Sequence, residues 1–232
     1  MNAAVVIATY NERENLADLV GAILQYPSYN VIVVDDNSPD GTGALADDVA
    51  AKSAGRVSVI HRKTARGLGR SLVAGLERAI DTKADLIFQM DADFSHDPKH
   101  LPEMAAAAAD ADLVLGSRYI HGIRVVNWPL HRIMLSSFAN RYVRAVTGLE
   151  VSDCTTGFRC WRREALAKIP LKGLISDGYA FLVEQLYLAK QAGCRVREVP
   201  IIFVERRQGA SKLSSSVLIE SAIVPWRLRL KS

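Results

Sequence analysis

The segment Asp85-Leu-Ile-Phe-Gln-Met-Asp91-Ala-Asp93-Phe-Ser-His-Asp-Pro98 opens as a short apolar run and closes in acids. Leu86 to Met90, with one β-branched and one aromatic residue, reads as a buried strand. Two carboxylates follow it directly, Asp91 and Asp93. In an extended chain, side chains at i and i+2 point to the same side, so both acids face one point. Two hard oxygen ligands converging at a strand end suit Mg2+ or Mn2+ held together with a diphosphate. The alternative is that the acids only end the strand and cap a helix starting near Pro98.

Outward from this strand, residues 3–8, 31–34 and 57–60 read as further apolar strands, and residues 14–25, about 43–52 and 68–80 as helices between them. An Ala-rich helix over 98–109 and a strand over 113–115 follow. Continuous apolar strands alternating with helices predict an α/β fold, a mostly parallel sheet with helices on both faces. Sites on such sheets lie at the carboxyl ends of the strands. The polar segments 9–12, 35–40 and 91–95 all fall there, in one row. Beyond Tyr119 the pattern loosens. Residues 130–146 read as a long helix, 152–159 as turns, 179–191 as a helix and 195–203 as a strand. A polar loop leads to an amphipathic stretch, 217–226, followed by Arg227, Arg229 and Lys231. With no repeat and no low-complexity linker, the expectation is one domain over 1–232. Its nucleotide and metal half covers about 1–118, its acceptor half about 119–213 and its amphipathic segment 214–232.

At 232 residues the chain is long enough for a sizeable core. Its formal charge of +4 suits an anionic ligand or a membrane surface and is too weak to argue for nucleic acid. Three cysteines without a C-x-x-C spacing point to free thiols in a reducing compartment. No apolar run approaches the ~20 residues of a membrane span. The N-terminus enters a strand with no basic region before it, so the expected location is the cytoplasm.

The first strand-to-helix turn contains no glycine, which argues against a dinucleotide site of the G-x-G-x-x-G kind. Thr9, Tyr10 and Glu12 could hold a base and ribose through their side chains, or Thr9 or Asn11 could simply cap the helix. Asp35 and Asp36, at the second strand end, are further candidates for ribose and base contacts. The turn at 66–69 (R-G-L-G) opens a helix whose N–H groups could face a phosphate.

Taken in order, A-T-Y-N-E-R-E-N (8–15), D-D-N-S-P-D-G-T (35–42), R-G-L-G (66–69) and M-D-A-D-F-S-H-D-P (90–98) resemble a family 2 inverting glycosyltransferase of the Rossmann-like GT-A fold. The segments G-S-R-Y (116–119), N-W-P-L-H-R-I-M-L-S (127–136), D-C-T-T-G-F-R (153–159) and F-V-E-R-R-Q-G-A-S-K-L (203–213) narrow the resemblance to polyprenyl- or dolichyl-phosphate mannosyltransferases. It covers residues 5–213. Ala8 departs from a usual proline, and Arg70 stands where a small residue is common.

The resemblance implies transfer of a hexose, mannose from GDP-mannose, onto a polyprenyl phosphate, with Mg2+ or Mn2+ as cofactor. Another donor such as UDP-glucose, a sugar-hydroxyl acceptor, or a noncatalytic sugar-nucleotide-binding subunit are the alternatives. It assigns Asp93, Arg118 and Arg132 to catalysis, and Ala8, Thr9, Tyr10, Glu12, Asp36, Asp91, Arg206 and Lys212 to the donor nucleotide. Arg118, Arg132 and Ser136 fall to the acceptor phosphate, Asp153 to the sugar, and Asp91, Asp93 and Ser95 to the metal. Arg132 and Ser136, four apart, share a helix face and offer a fork and a hydroxyl to one phosphate. Arg206, Ser211 and Lys212 sit on a Gly209-containing loop able to close over a diphosphate. Glu184 is either a sugar contact or structural. The implied partners are the sugar nucleotide, the lipid phosphate, the cytoplasmic face of a membrane and a membrane subunit.

Overall fold

The computed structural model describes residues 1–63, 67–174, 176, 178–205 and 215–230, with side chains of 215–219 excepted. In chain order its elements are β1 (Ala3–Thr9), α1 (Arg13–Leu24), β2 (Tyr29–Asp35), α2 (Thr42–Ala51), β3 (Val57–His61), α3 (Leu68–Ile80), β4 (Leu86–Met90), α4 (Leu101–Ala107) and β5 (Leu113–Ser117). Then come β6 (Val125–Val126), α5 (Leu130–Thr147), β7 (Arg159–Arg162), α6 (Arg163–Leu166), α7 (Gly178–Gln191), β8 (Val196–Pro200), β9 (Phe203–Val204) and α8 (Ser215–Leu230).

Seven strands form one sheet in the order β3-β2-β1-β4-β7-β5-β8, while β6 and β9 pair separately. β1, β2, β3 and β4 run parallel, as do β5 and β8; β7 lies antiparallel between β4 and β5. Two apolar cores result, one on each face. Val6, Val34, Ile87 and Trp161 pack with α3, α5, α7 and α8 on one side. Val5, Ile7, Val33 and Phe88 pack with α1, α2 and α4 on the other. Alternate residues of β1 thus enter opposite cores, which is why the strand is apolar throughout. The strand order reverses between β1 and β4, which stay parallel, the place where open sheets of this kind leave a crevice.

The expected α/β class and the mostly parallel sheet are observed. Four local readings change. β7 was absent from the expectation. The strand expected to reach Phe203 stops at Pro200, with one last bond from the Ile201 N–H to the Ser117 carbonyl at 3.0 Å; Phe203 joins β6 instead. The helix expected over 98–109 opens as a 3-10 turn, Pro98–His100, and is α-helical only from Leu101. Finally, α8 is apolar on two sides. Val224 and Leu228 are buried against the core, whereas Ile223, Trp226 and Leu230 are exposed. A one-faced amphipathic segment is therefore not what the chain forms here. Pro225 lies inside this helix, and the Tyr142 hydroxyl donates to the Ala222 carbonyl three residues before it, at 2.6 Å.

α3 lies close on β1 and β2 because Gly75 has no side chain. A Cβ there would overlap Val6 Cγ1 and sit 2.9 Å from Val34 Cγ2. Alanine is the better helix former by about 1 kcal/mol, but overpacking a rigid core costs about 1–3 kcal/mol and the strands cannot yield cheaply. Gly75→Ala is expected to lower the urea midpoint with an unchanged m-value; a raised midpoint would show that α3 shifts freely.

Candidate active site

The carboxyl ends of β2, β1 and β4 stand side by side, and the acids follow them. The chain turns sharply after Met90. Asp93 Oδ1 accepts from the Ser95 backbone N–H at 3.1 Å and the Ser95 hydroxyl at 2.6 Å. Phe94, between them, has φ of 61°, a left-handed conformation unusual for a bulky residue. The two carboxylates are therefore aimed by a turn and not by the alternation of a strand. Asp91 keeps 42% of its side chain exposed, whereas Asp93 is buried. Ser95, expected among the metal ligands, is only 1% exposed and gives its hydroxyl proton to Asp93. It orients that carboxylate and adds no third ligand facing the site.

His96, which the sequence reading did not single out, lies beneath this turn. Its Nδ1 accepts the Asp91 backbone N–H at 3.0 Å, which leaves the ring proton on Nε2. It stacks on Phe158 at 5.0 Å between ring centres and meets Phe203 edge-on at 5.5 Å. Burial pushes its pKa below the usual value despite the nearby Asp91 and Asp93, so the ring is neutral at neutral pH. Gly157 completes the cradle: a Cβ there would stand 3.2 Å from Asp91 Oδ1 and 3.4 Å from His96 Cε1.

The residues expected to meet the donor lie at and just after the ends of β1 and β2, and several are engaged with one another. The Thr9 hydroxyl donates to the Val34 carbonyl at 3.3 Å and is buried. Glu12 accepts from the Asn15 amide at 3.0 Å, and its own N–H donates to the Thr42 hydroxyl. Asp36, expected at the ribose, pairs instead with Arg62 and accepts the Gly67 N–H at 2.8 Å, fixing the start of α3. Ala8 and Tyr10 are partly exposed at the same edge. Arg66, Arg206, Ser211 and Lys212 lie outside the described residues.

The basic pole is built on a buried ion pair. Arg118, just past β5, sends Nε and Nη2 to the two Asp153 oxygens, each at 2.7 Å, and Nη2 also reaches the Thr155 hydroxyl at 2.8 Å. Asp153 is wholly buried and Arg118 nearly so. Burial alone would raise the Asp153 pKa, but the charge and hydrogen bonds of Arg118 prevail and hold it below the usual range. The expected sugar contact is thus corrected: both Asp153 oxygens face Arg118. The third guanidinium nitrogen of Arg118, Nη1, makes no hydrogen bond among the described residues, and the group faces the rings of Tyr119, Trp128 and Phe203 at 5.4–5.7 Å.

Arg132 stacks over Trp128 at 4.1 Å and pairs with Glu205. Ser136, one turn on, accepts from the Tyr119 hydroxyl at 2.6 Å. Arg118, Arg132 and Ser136 are thereby joined through Tyr119 and Trp128. Asn140 ties α5 to the loop carrying Asp153 by accepting the Cys154 N–H at 2.7 Å. Below that loop lies Arg159, a second residue the sequence reading passed over. Fully buried, it donates to the carbonyls of Cys154, Thr156 and Leu182 and to Gln185. Burial pushes its pKa down to about 9, still protonated at neutral pH. Glu184 accepts the Ser176 N–H and is buried, a structural role. Phe203 stands between the two poles, meeting His96 edge-on at 5.5 Å and Arg118 at 5.4 Å.

Removing one partner of a buried pair costs about 3–5 kcal/mol, so Asp153→Asn is expected to destabilise strongly at pH 7. The sign with pH follows from the depressed pKa. The contribution of Asp153 is present above its unfolded value of about 3.9 and is lost as pH falls through the folded one. Urea unfolding from pH 7 down to pH 3 should show the gap between wild type and variant narrowing. A gap independent of pH would mean that the ionised pair is not its source.

Residues 4–170 match the family described as Glycosyl transferase family 2. The chain is 44% identical over 229 residues to the polyprenol monophosphomannose synthase of Mycolicibacterium smegmatis, covering 97% of this chain and 86% of that one. It is 42% identical over 224 residues to the undecaprenyl-phosphate mannosyltransferase of Micrococcus luteus, covering 96% and 92%. To the dolichol-phosphate mannosyltransferase of Pyrococcus furiosus it is 35% identical, covering 95% of this chain and 61% of that protein. Among solved structures, glucosyl-3-phosphoglycerate synthase from Mycobacterium tuberculosis with Mn2+, UDP and glucosyl-3-phosphoglycerate superposes with a TM-score of 0.66 at 19% identity, covering 98% and 79% of the two chains. That likeness bears on the fold, which is GT-A. With the family match spanning most of its length, the chain belongs to glycosyl transferase family 2.

Proposed function

We propose that the protein transfers a mannosyl group from GDP-mannose to the phosphate of a polyprenyl lipid, inverting the anomeric carbon. The observation that carries this reading is an acidic turn, seated on His96, that Phe203 and Trp128 link to two arginines. The names of the relatives, all polyprenyl-phosphate mannose transferases, support it. A phosphate monoester has its second pKa near ~6, so at pH 7 the acceptor offers a ready oxygen and needs no general base. What it needs is cationic side chains to place one anion beside another. Arg118, with its Nη1, and Arg132, with its fork, fill that role, and Ser136 adds a hydroxyl. An acceptor sugar hydroxyl would leave both arginines without an anion to meet.

Asp91 and Asp93 are hard oxygen donors of the kind Mg2+ or Mn2+ takes. The two carboxylates would hold the ion, with diphosphate and water filling its remaining positions, and it would supply neutralising charge to the leaving diphosphate. Ser95 fixes the Asp93 carboxylate and His96 the Asp91 backbone beforehand, and Arg206 and Lys212 belong to the donor diphosphate in this reading. The decisive assay offers GDP-mannose and UDP-glucose with a short-chain polyprenyl phosphate and follows product mass. Mannosyl product that disappears in EDTA and returns with Mn2+ or Mg2+ is expected; glucosyl product would replace the donor. Arg132→Ala should raise the acceptor KM about ten- to a hundredfold while leaving the calorimetric Kd for donor nearly unchanged, and Arg132→Lys should recover part of it.

Among the described residues no helix is long and apolar enough to cross a membrane. The lipid acceptor is instead met at a surface. Leu130, Met134 and Phe138, one turn apart along α5, are 71%, 64% and 68% exposed. α8 packs beside α5 and shows Ile223, Trp226 and Leu230 with Arg227 and Arg229. This face rests on the cytoplasmic leaflet, where apolar area and basic charge both act. Because Phe138 is so exposed, Phe138→Asp should leave stability intact and weaken vesicle binding about tenfold or more, a phenyl burial being worth about 1.5–3 kcal/mol. Unchanged flotation on anionic vesicles would remove α5 from the contact.

A further inference from the structure

Arg132 is the more accessible of the two arginines, its side chain 19% exposed against 6% for Arg118. Its fork is nevertheless occupied. Trp128 covers one face of the guanidinium, and the Glu205 carboxylate accepts from Nη1. Glu205 is brought from 73 residues away and is not casually placed. Its backbone N–H donates to the Val126 carbonyl at 3.1 Å, extending the pairing of β6 with β9, and Phe203, whose N–H donates to Arg124, packs edge-on against Trp128 at 5.3 Å. The chain thus delivers a negative charge to the cation expected to receive a phosphate.

We infer that Glu205 is a stand-in anion for the acceptor phosphate, displaced by the substrate and returning to expel the product. The inference rests on the reading of Arg132 as an acceptor-phosphate residue. A carboxylate carries one charge on two oxygens; a phosphate monoester near neutral pH carries close to two on three. The dianion therefore outcompetes Glu205 for the fork. In transfer, one phosphate oxygen bonds to the anomeric carbon, and the bond from that carbon to the diphosphate breaks, its electron pair leaving with the nucleoside diphosphate. The lipid phosphate becomes a diester with a single charge and one fewer terminal oxygen. Its advantage over Glu205 is gone, so the carboxylate regains the guanidinium and the product leaves. Glu205 so separates substrate from product by charge alone, and keeps the arginine fork oriented between turnovers.

The test is Glu205→Gln, which keeps the shape and an acceptor oxygen but removes the charge, measured beside Arg132→Ala in the full chain with short-chain polyprenyl phosphate and its mannosylated product. Glu205→Gln is expected to lower the acceptor KM about tenfold and the inhibition constant of the product by at least as much, with donor Kd and melting temperature unchanged. A merely structural ion pair predicts the opposite sign, since cutting it would loosen Arg132 and raise the acceptor KM. An acceptor KM that rises or stays constant, with product inhibition unmoved, overturns the stand-in role. If Arg132→Ala also leaves the acceptor KM unchanged, the acceptor-site reading falls with it; if Arg132→Ala raises that KM, only the role of Glu205 falls.

Discussion

A guanidinium and a carboxylate withdrawn together from water set the terms for the rest of this molecule. Neither Arg118 nor Asp153 could be buried alone, because an unpaired ion in the interior is far costlier than the pair. Each is held by the other and by polar groups around them. The pair joins the end of β5 to the loop entering β7, and every neighbouring polar group tightens that junction. Glu198 accepts the N–H groups of Ser152 and Asp153 from above, Asn140 accepts that of Cys154, and Arg159 gathers carbonyls from below. Such a pair contributes little net stability compared with apolar packing; what it fixes is the position of one cation beside an acidic turn.

The acidic turn is shaped by constraints of its own. Asn11, Asn37 and Phe94, each in the loop that follows β1, β2 or β4, all take positive φ. Asparagine accepts this conformation readily, whereas at Phe94 it costs roughly 1–2 kcal/mol. The Asp93–Ser95 hydrogen bonds maintain it. Each of the three loops thus turns sharply within four residues of its strand's end.

The first half of this architecture could be read from the sequence because its strands are buried on both faces and so appear as unbroken apolar runs between polar turns. β1, β2 and β4 were placed to within about two residues, and the acids after them were found by position. β7 escaped because two of its four residues are arginines, one buried and one partly exposed, which hides any strand period. His96 and Arg159 escaped for a related reason: a polar side chain becomes buried through contacts with distant segments, and no local pattern announces it. The pairing of Asp153 with Arg118 spans 35 residues, so each looked available for a ligand when read alone. α8 was misjudged because its buried side is chosen by α5 and α7, not by its own periodicity.

The place of β7 in the sheet also bears on how this chain can be divided. β5 pairs with β7 and β8 and with no strand of the preceding segment. A polypeptide ending near residue 118 would carry β5 with no hydrogen-bonding neighbour and would leave one edge of β4 open, two unpaired ladders of the kind that recruit other chains. The donor and acceptor halves proposed for this chain therefore share a single hydrogen-bonded sheet. A chimaera with its junction near residue 118 sets β7 of one parent between β4 and β5 of the other, whereas grafting loops alone keeps every ladder within one parent.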